Sequence, residues 1–244
     1  FLSSHIIYYM DFSSKLVKAK FIKRYKRFFS DHILEDGSLV TAHCANTGAM
    51  LGVTEEGVTS WLSKSDNPKR KLKWSWELVQ KDKTIIGINT HNPNKIIQEA
   101  IIKNKIKELT NYADLKREVK YGTNSKIDIL LQDNNKKDCY VEIKNVHLSR
   151  ELEVAEFPDA VTIRGAKHLR ELSLVSKSGL RAVMLYLIQR NDCKYFKIAE
   201  DIDKEYAKEF YNALEAGVEV ICIDTILSSD AINIGKNIQL LTNR

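Results

Sequence analysis

Asp128, Glu142 and Lys144 are the residues whose types and spacing point most directly to chemistry. Asp128 lies in Ser125–Gln132, and Glu142 and Lys144 lie in Cys139–Asn145. These two β-rich runs are joined by a polar turn, Asp133–Asp138. Residues two apart on a strand share a face, so Glu142 and Lys144 point the same way. A hairpin would bring Asp128 beside them. Two converging carboxylates can hold a hard divalent cation, Mg²⁺ or Mn²⁺, through oxygen. A neighbouring ammonium can orient a water or steady the charge on a phosphate. This is the D–(D/E)xK arrangement of restriction-type nucleases. The same letters also occur on solvated hairpins, where a cross-strand Glu/Lys pair contributes only about 0.2–1 kcal/mol. Context favours the site, because a helix precedes these strands and another follows them. A literal Pro158–Asp159 comes after the E-x-K, in the wrong order for the motif, and is read as a turn.

Further groups can serve such a centre. Glu99, on the preceding helix, is a candidate additional metal ligand, and Glu118 reads as a surface carboxylate. Arg164, Lys167, His168 and Glu171 recur at helical spacing and give one polar, basic face. That face can meet a phosphate, with His168 a candidate general acid, or can simply be solvated. Two runs interleave cations with aromatics. One holds Lys23, Arg24, Lys26 and Arg27; the other holds Lys69, Arg70, Lys71, Lys73 and Trp74. Cations can meet phosphates while rings stack on bases. The alternative is a barrel core with a charged edge strand.

The elements that must position these groups fall into two blocks. Residues 10–88 read as short strands separated by turns: Lys15–Phe29, Ser38–His43, Val58–Ser63, Leu72–Gln80 and Thr84–Ile88. This predicts a small oligonucleotide-binding (OB) type β-barrel. The turn-rich Asn89–Asn94 forms a junction. Residues 89–244 then predict a mixed α/β domain. It has a helix over Lys95–Leu109 with Asn94 as N-cap, strands at Leu115–Lys120, Ser125–Gln132 and Cys139–Asn145, and a helix at Arg164–Ser176. A strand at Arg181–Ile188, a helix at Asp203–Glu215 and a strand at Val218–Ile226 complete it. Residues 1–9, before Met10, lack a charged signal-peptide start and are expected to be an upstream extension.

Composition narrows the class. The chain of 244 residues carries 38 Lys/Arg against 32 Asp/Glu, a net +6. The excess is concentrated early: residues 1–85 hold 14 Lys/Arg and 9 Asp/Glu, which favours a polyanionic partner there. No apolar run has the length of a membrane helix, so no membrane partner is expected. The four cysteines are widely spaced, with no C-x-x-C, which predicts buried thiols in a reducing, cytoplasmic setting.

Beyond these readings, several stretches in order along the chain resemble the sugar fermentation stimulation protein A (SfsA) family. They are RYKRF (24–28), HCANTGAMLG (43–52), SDNPKRKL (65–72), GINTHNPN (87–94), EVKYGTNSKID (118–128), YVEIKNV (140–146) and FPDAVTIRGAKHLREL (157–172). The resemblance implies an N-terminal OB-fold domain and a C-terminal PD-(D/E)xK nuclease-like domain, with Asp128, Glu142 and Lys144 at the nuclease positions. It implies a bacterial DNA-binding protein without strong sequence preference, linked to regulation of sugar (maltose) metabolism. Three readings stand side by side: a DNA-binding protein, a Mg²⁺- or Mn²⁺-dependent nuclease, and a metal site surviving as a phosphate-binding scaffold.

Overall fold

The computed structural model describes residues 10–12, 14–122 and 124–242; the expected extension at residues 1–9 lies outside them. After a two-residue strand β1 (Met10–Asp11), the first block contains β2 (Val17–Tyr25), β3 (Phe29–Leu34), β4 (Leu39–His43), β5 (Thr59–Lys64), β6 (Trp74–Lys81) and β7 (Thr84–Gly87). Neighbours run β4-β3-β2-β5-β6-β7, and a parallel pairing of β4 with β6 closes the first five into a barrel. Closure removes the exposed edges that an open sheet would carry. Alternation along β2 and β6 puts Phe21 and Trp76 inside, stacked with ring centroids 4.8 Å apart. The run expected as one strand, Lys15–Phe29, breaks at Lys26 and Arg27. Both have positive φ (47° and 61°) and form a tight hairpin turn.

The second block begins with α1 (Pro93–Ile102). Its N-cap is Asn92, not Asn94, because Pro93 takes the first helical position that its missing N–H favours. The helix stops well before Leu109. Asn104 adopts φ 54°, a left-handed residue that ends helices, and only a short 3₁₀ turn follows at Lys107–Leu109. Then come β8 (Asp114–Tyr121), β9 (Ser125–Gln132), β10 (Cys139–Val146), β11 (Leu148–Glu151) and β12 (Val154–Phe157). They are followed by α2 (Ile163–Lys177), β13 (Arg181–Ile188), β14 (Tyr195–Ile198), α3 (Lys204–Glu215), β15 (Glu219–Leu227), β16 (Ala231–Asn237) and β17 (Gln239–Leu240).

The main sheet runs β1-β16-β15-β13-β10-β9-β8, with β10, β13 and β15 parallel. Met10–Asp11, counted with the barrel in the sequence reading, pairs with β16 and so belongs to this sheet. One sheet face, from Ile129, Val141, Ile143 and Leu185, packs on Ile96, Ile97, Ala100 and Ile101 of α1. The other, from Leu130, Met184, Tyr186 and Cys222, packs on Leu169 and Leu172 of α2 and Phe210 of α3. A second sheet, β11-β12-β14-β17, lies beside it.

Barrel and α/β domain are fused by more than the chain. Leu16 and Leu78 join the core under α1, with Trp61 and Ile85 packed against it. Gly87 N donates to Gln189 O at 2.8 Å. All four cysteines are buried free thiols. Among the described residues no helix is long and apolar enough to cross a membrane.

Candidate functional site

The site arises where the sheet comes apart. β9 and β10 pair antiparallel only over Leu131–Ile129 and Cys139–Val141. Continuing that register would set Asp128 opposite Glu142, but the ladder ends there. On its other side β9 pairs with β8 up to Ile129 and again from Ile127, skipping Asp128, and the residue facing it, Glu118, takes φ 53°. Asp128 is thus released from the regular ladder on both edges. Its carboxylate fills the split. Oδ2 accepts from the backbone N–H of Ile143 at 2.8 Å, and Oδ1 accepts from Asn94 Nδ2 at 2.8 Å. A side chain has replaced a strand carbonyl, which satisfies a buried donor and fixes the carboxylate.

Glu142 and Lys144 share the face turned towards α2, as their two-residue spacing requires. Lys144 Nζ donates to Glu142 Oε1 at 2.7 Å. His168 Nδ1 meets the same oxygen, and Arg164 Nε donates to His168 Nε2 at 3.3 Å. One tautomer, with the proton on Nδ1, satisfies both imidazole contacts. The helical face expected at Arg164, Lys167, His168 and Glu171 is therefore not a uniformly solvated stripe: His168 and Glu171 are buried, while Arg164 is exposed.

The electrostatics divide the two carboxylates. Burial and the charge of Glu142 raise the pKa of Asp128, against the bonds from Ile143 and Asn94. Burial also opposes ionisation of Glu142, but Lys144 and His168 outweigh it and hold its pKa below the usual carboxylate value. Tyr121, whose hydroxyl has no hydrogen-bond partner, is pushed upward by burial and by the charges of Glu142, Glu171 and Asp128. Negative charge is concentrated here, with Lys144 in direct contact with Glu142 and Lys167 beside Glu171.

That arrangement fits a divalent cation. Glu142 Oε2 is buried with no hydrogen-bond partner, and each Asp128 oxygen accepts one bond and keeps a further lone pair. Mg²⁺-type ions are commonly held by one or two carboxylates, the remaining positions going to water and substrate phosphate. No cluster of three or more His, Cys, Asp or Glu suited to a metal occurs among the described residues. Glu99 does not line the site cavity. It lies on α1, which packs on the opposite sheet face; from that helix Asn94 reaches Asp128 instead.

The site opens into a cavity of about 420 Å³ between the two domains. Its far wall comes from the barrel. The loop Asn46–Thr47–Gly48 is held by Arg24, which donates to Asn46 O at 2.6 Å and to Gly48 O at 2.9 Å. Arg24, expected to contact nucleic acid, is thus committed to positioning this loop. Asp159, read as part of a turn, receives Met50 N at 2.9 Å and lies 3.3 Å from His147 Nε2. It joins the barrel to the α/β domain. Sequence reasoning missed Asn94, Asn145, His147 and Asp159 as lining residues.

The remaining basic candidates lie on the barrel. Lys23, Lys26, Arg27, Lys69, Lys71 and Lys73 are exposed. Lys23 is 3.9 Å from Asp31, and Lys73 donates to Asn67 O at 2.9 Å. Arg70 donates to Ser75 Oγ at 2.6 Å, and Trp74 carries Lys64 Nζ 5.4 Å from its ring centre. Lys167 is half-buried, 3.7 Å from Glu171.

A closed OB barrel docked on a mixed α/β domain, with carboxylates and lysine in a split sheet, defines a two-domain protein of OB plus restriction-nuclease-like class. The family model described as "Sugar fermentation stimulation protein RE domain" matches residues 91–231, and "SfsA N-terminal OB domain" matches residues 22–88. The chain belongs to the sugar fermentation stimulation protein family. The homologue from Paramagnetospirillum magneticum is 51% identical over 236 residues, covering 96% of this chain and 100% of its own. That from Rhodospirillum centenum is 50% identical, covering 95% and 99%. The solved structure of Pyrococcus furiosus SfsA in complex with Ca²⁺ matches with a TM-score of 0.88 at 25% identity, covering 97% of this chain and 100% of that one.

Proposed function

We propose that this chain binds nucleic acid and hydrolyses its phosphodiester bonds with a divalent cation held by Asp128 and Glu142. One observation carries the reading: in the split between β9 and β10, a fixed carboxylate faces a second carboxylate whose buried Oε2 has no partner. The Ca²⁺ complex of the Pyrococcus furiosus relative supports it. A bound cation would supply charge stabilisation at a phosphoryl oxygen and acidify water. The chain supplies the rest. Ile143 N–H and Asn94 orient Asp128. Glu142 Oε1, itself held by His168, holds Lys144 Nζ, which orients the attacking water. Arg164 meets the phosphate from the start of α2.

The test is incubation of DNA with Mg²⁺ or Mn²⁺, comparing wild type with Asp128→Ala and Lys144→Ala. Either substitution should cut the rate by at least about 100-fold. Cleavage that persists in both variants marks a contaminant and refutes the reading.

The exposed barrel cations favour a second reading, DNA binding without cleavage. Phosphate contacts give affinity without sequence preference. A regulatory link to sugar (maltose) metabolism would then operate through occupancy of DNA. A strain carrying Lys144→Ala should keep that regulation on this reading and lose it on the first.

A further inference from the structure

Three rings form a continuous ladder across the barrel surface: Phe28, His43 and His91. The centroids of Phe28 and His43 are 6.3 Å apart with ring planes 9° from parallel, and those of His43 and His91 are 6.3 Å apart at 33°. Phe28 is 45% exposed, His43 half-buried and His91 exposed, so an aromatic stack stands on the surface and not in the core. Both ends are anchored. Cys44 N donates to Phe28 O, and Thr90 N and Oγ1 both donate to Ala45 O, which holds His91 against the end of β4.

The ladder also has direction. It starts beside Lys26 and Arg27, exposed in the hairpin turn just before Phe28. Midway, His43 pairs with Ser75, whose hydroxyl receives Arg70. It ends at His91, between Thr90 and the Pro93–Asn94 start of α1, and those residues line the site cavity.

Resting on the nucleic-acid reading of the site, we infer that the ligand is single-stranded and is led into the cavity along Phe28, His43 and His91. Unpaired bases stack on the rings while Lys26, Arg27 and Arg70 meet the backbone. A duplex offers no such match, since its base faces are covered by their neighbours and only edges and phosphates face outward. The cavity agrees: at about 420 Å³ it has the volume of a small-ligand pocket, and its barrel wall is fixed by the Met50–Asp159 and Gly87–Gln189 bonds.

The test is fluorescence anisotropy in EDTA, with a labelled oligothymidylate and a duplex of equal length, so that binding is read apart from hydrolysis. Wild type should bind the single strand more tightly. Phe28→Ala should weaken single-strand binding by about tenfold and duplex binding by less than about twofold, with Phe28→Tyr restoring it. His91→Ala should act in the same direction, and thermal melts would show both exposed-site variants folded. A preference for duplex, an equal loss on both ligands, or no effect of either ring overturns the inference, and if Asp128-dependent cleavage is seen in a parallel incubation with Mn²⁺ the hydrolase reading survives it. Ring-dependent binding in EDTA, with no Asp128-dependent cleavage of the same oligonucleotides in a parallel incubation with Mn²⁺, supports the track and refutes hydrolysis. No binding of either ligand in EDTA overturns the inference, and no cleavage with Mn²⁺ as well overturns both.

Discussion

The docking of the barrel on the α/β domain turns on the approach of Gly48 to Asp159. A Cβ built on Gly48 would lie 2.7 Å from Asp159 Cγ and nearer still to its oxygens. Ordinary contact between carbon atoms is about 3.5–4.0 Å, so the carboxylate would retreat by about 1 Å. It has no slack to do so. Oδ2 accepts Met50 N at 2.9 Å and sits 3.3 Å from His147 Nε2. Losing a hydrogen bond to a charged group costs about 1.5–3 kcal/mol. Gly48→Ala should therefore destabilise by about 2–3 kcal/mol, lowering the melting temperature by roughly 4–12 °C for a chain of this size. Urea unfolding measures it. The sharper result is the double-mutant cycle: in an Asp159→Ala background the methyl has room, so the cost of Gly48→Ala should fall to within about 0.5 kcal/mol of zero. An equal cost in both backgrounds, or no cost in wild type, would refute the close-packed interface.

Other consequences follow from the same geometry. Arg24→Ala should lower stability by about 2–3 kcal/mol through its two loop carbonyls, while leaving the salt dependence of nucleic-acid binding unchanged; a shallower salt slope would return Arg24 to the phosphate-contacting set. Replacing both Lys26 and Arg27 by Ala should reduce the log–log salt slope for a single strand by about 1.4; an unchanged slope removes them from the interface. His32 is buried between Ser30 and Ser60, and burial lowers its pKa from 6.5 to about 4. Between those values the unfolded chain takes up a proton that the native state refuses. Stability is thus lost as pH falls from 6.5 towards 4, by up to about 1.4 kcal/mol per pH unit from this group. Urea midpoints over that range should flatten in His32→Gln, and an unaltered slope would contradict it.

The parts of the site that were legible depend on local period. Two-residue spacing put Glu142 with Lys144, and the nearness of Asp128 required only a hairpin. The helical period on α2 grouped Arg164 with His168. What could not be read depends on long-range register. The release of Asp128 needs two ladders to fail at one residue, which no local pattern encodes, and Asn94 reaches it from the first turn of a helix whose start was placed two residues late. The signal for that start was Pro93, and Asn104 marked the stop. Asp159 and His147 acquire their places only when the barrel docks. Arg24 sits in a run of cations and aromatics that reads alike whether a guanidinium meets phosphate or a loop carbonyl. The small sheet of β11, β12, β14 and β17 escaped notice because strands of two to four residues show too few alternations to register.

The central claim is that Asp128 and Glu142 hold a divalent cation. Anomalous diffraction from crystals soaked in Mn²⁺ tests it most directly. A peak is expected within coordination distance of an Asp128 oxygen and of Glu142 Oε2, lost in Glu142→Gln. Strong Mn²⁺ peaks elsewhere with none between these two carboxylates would contradict it.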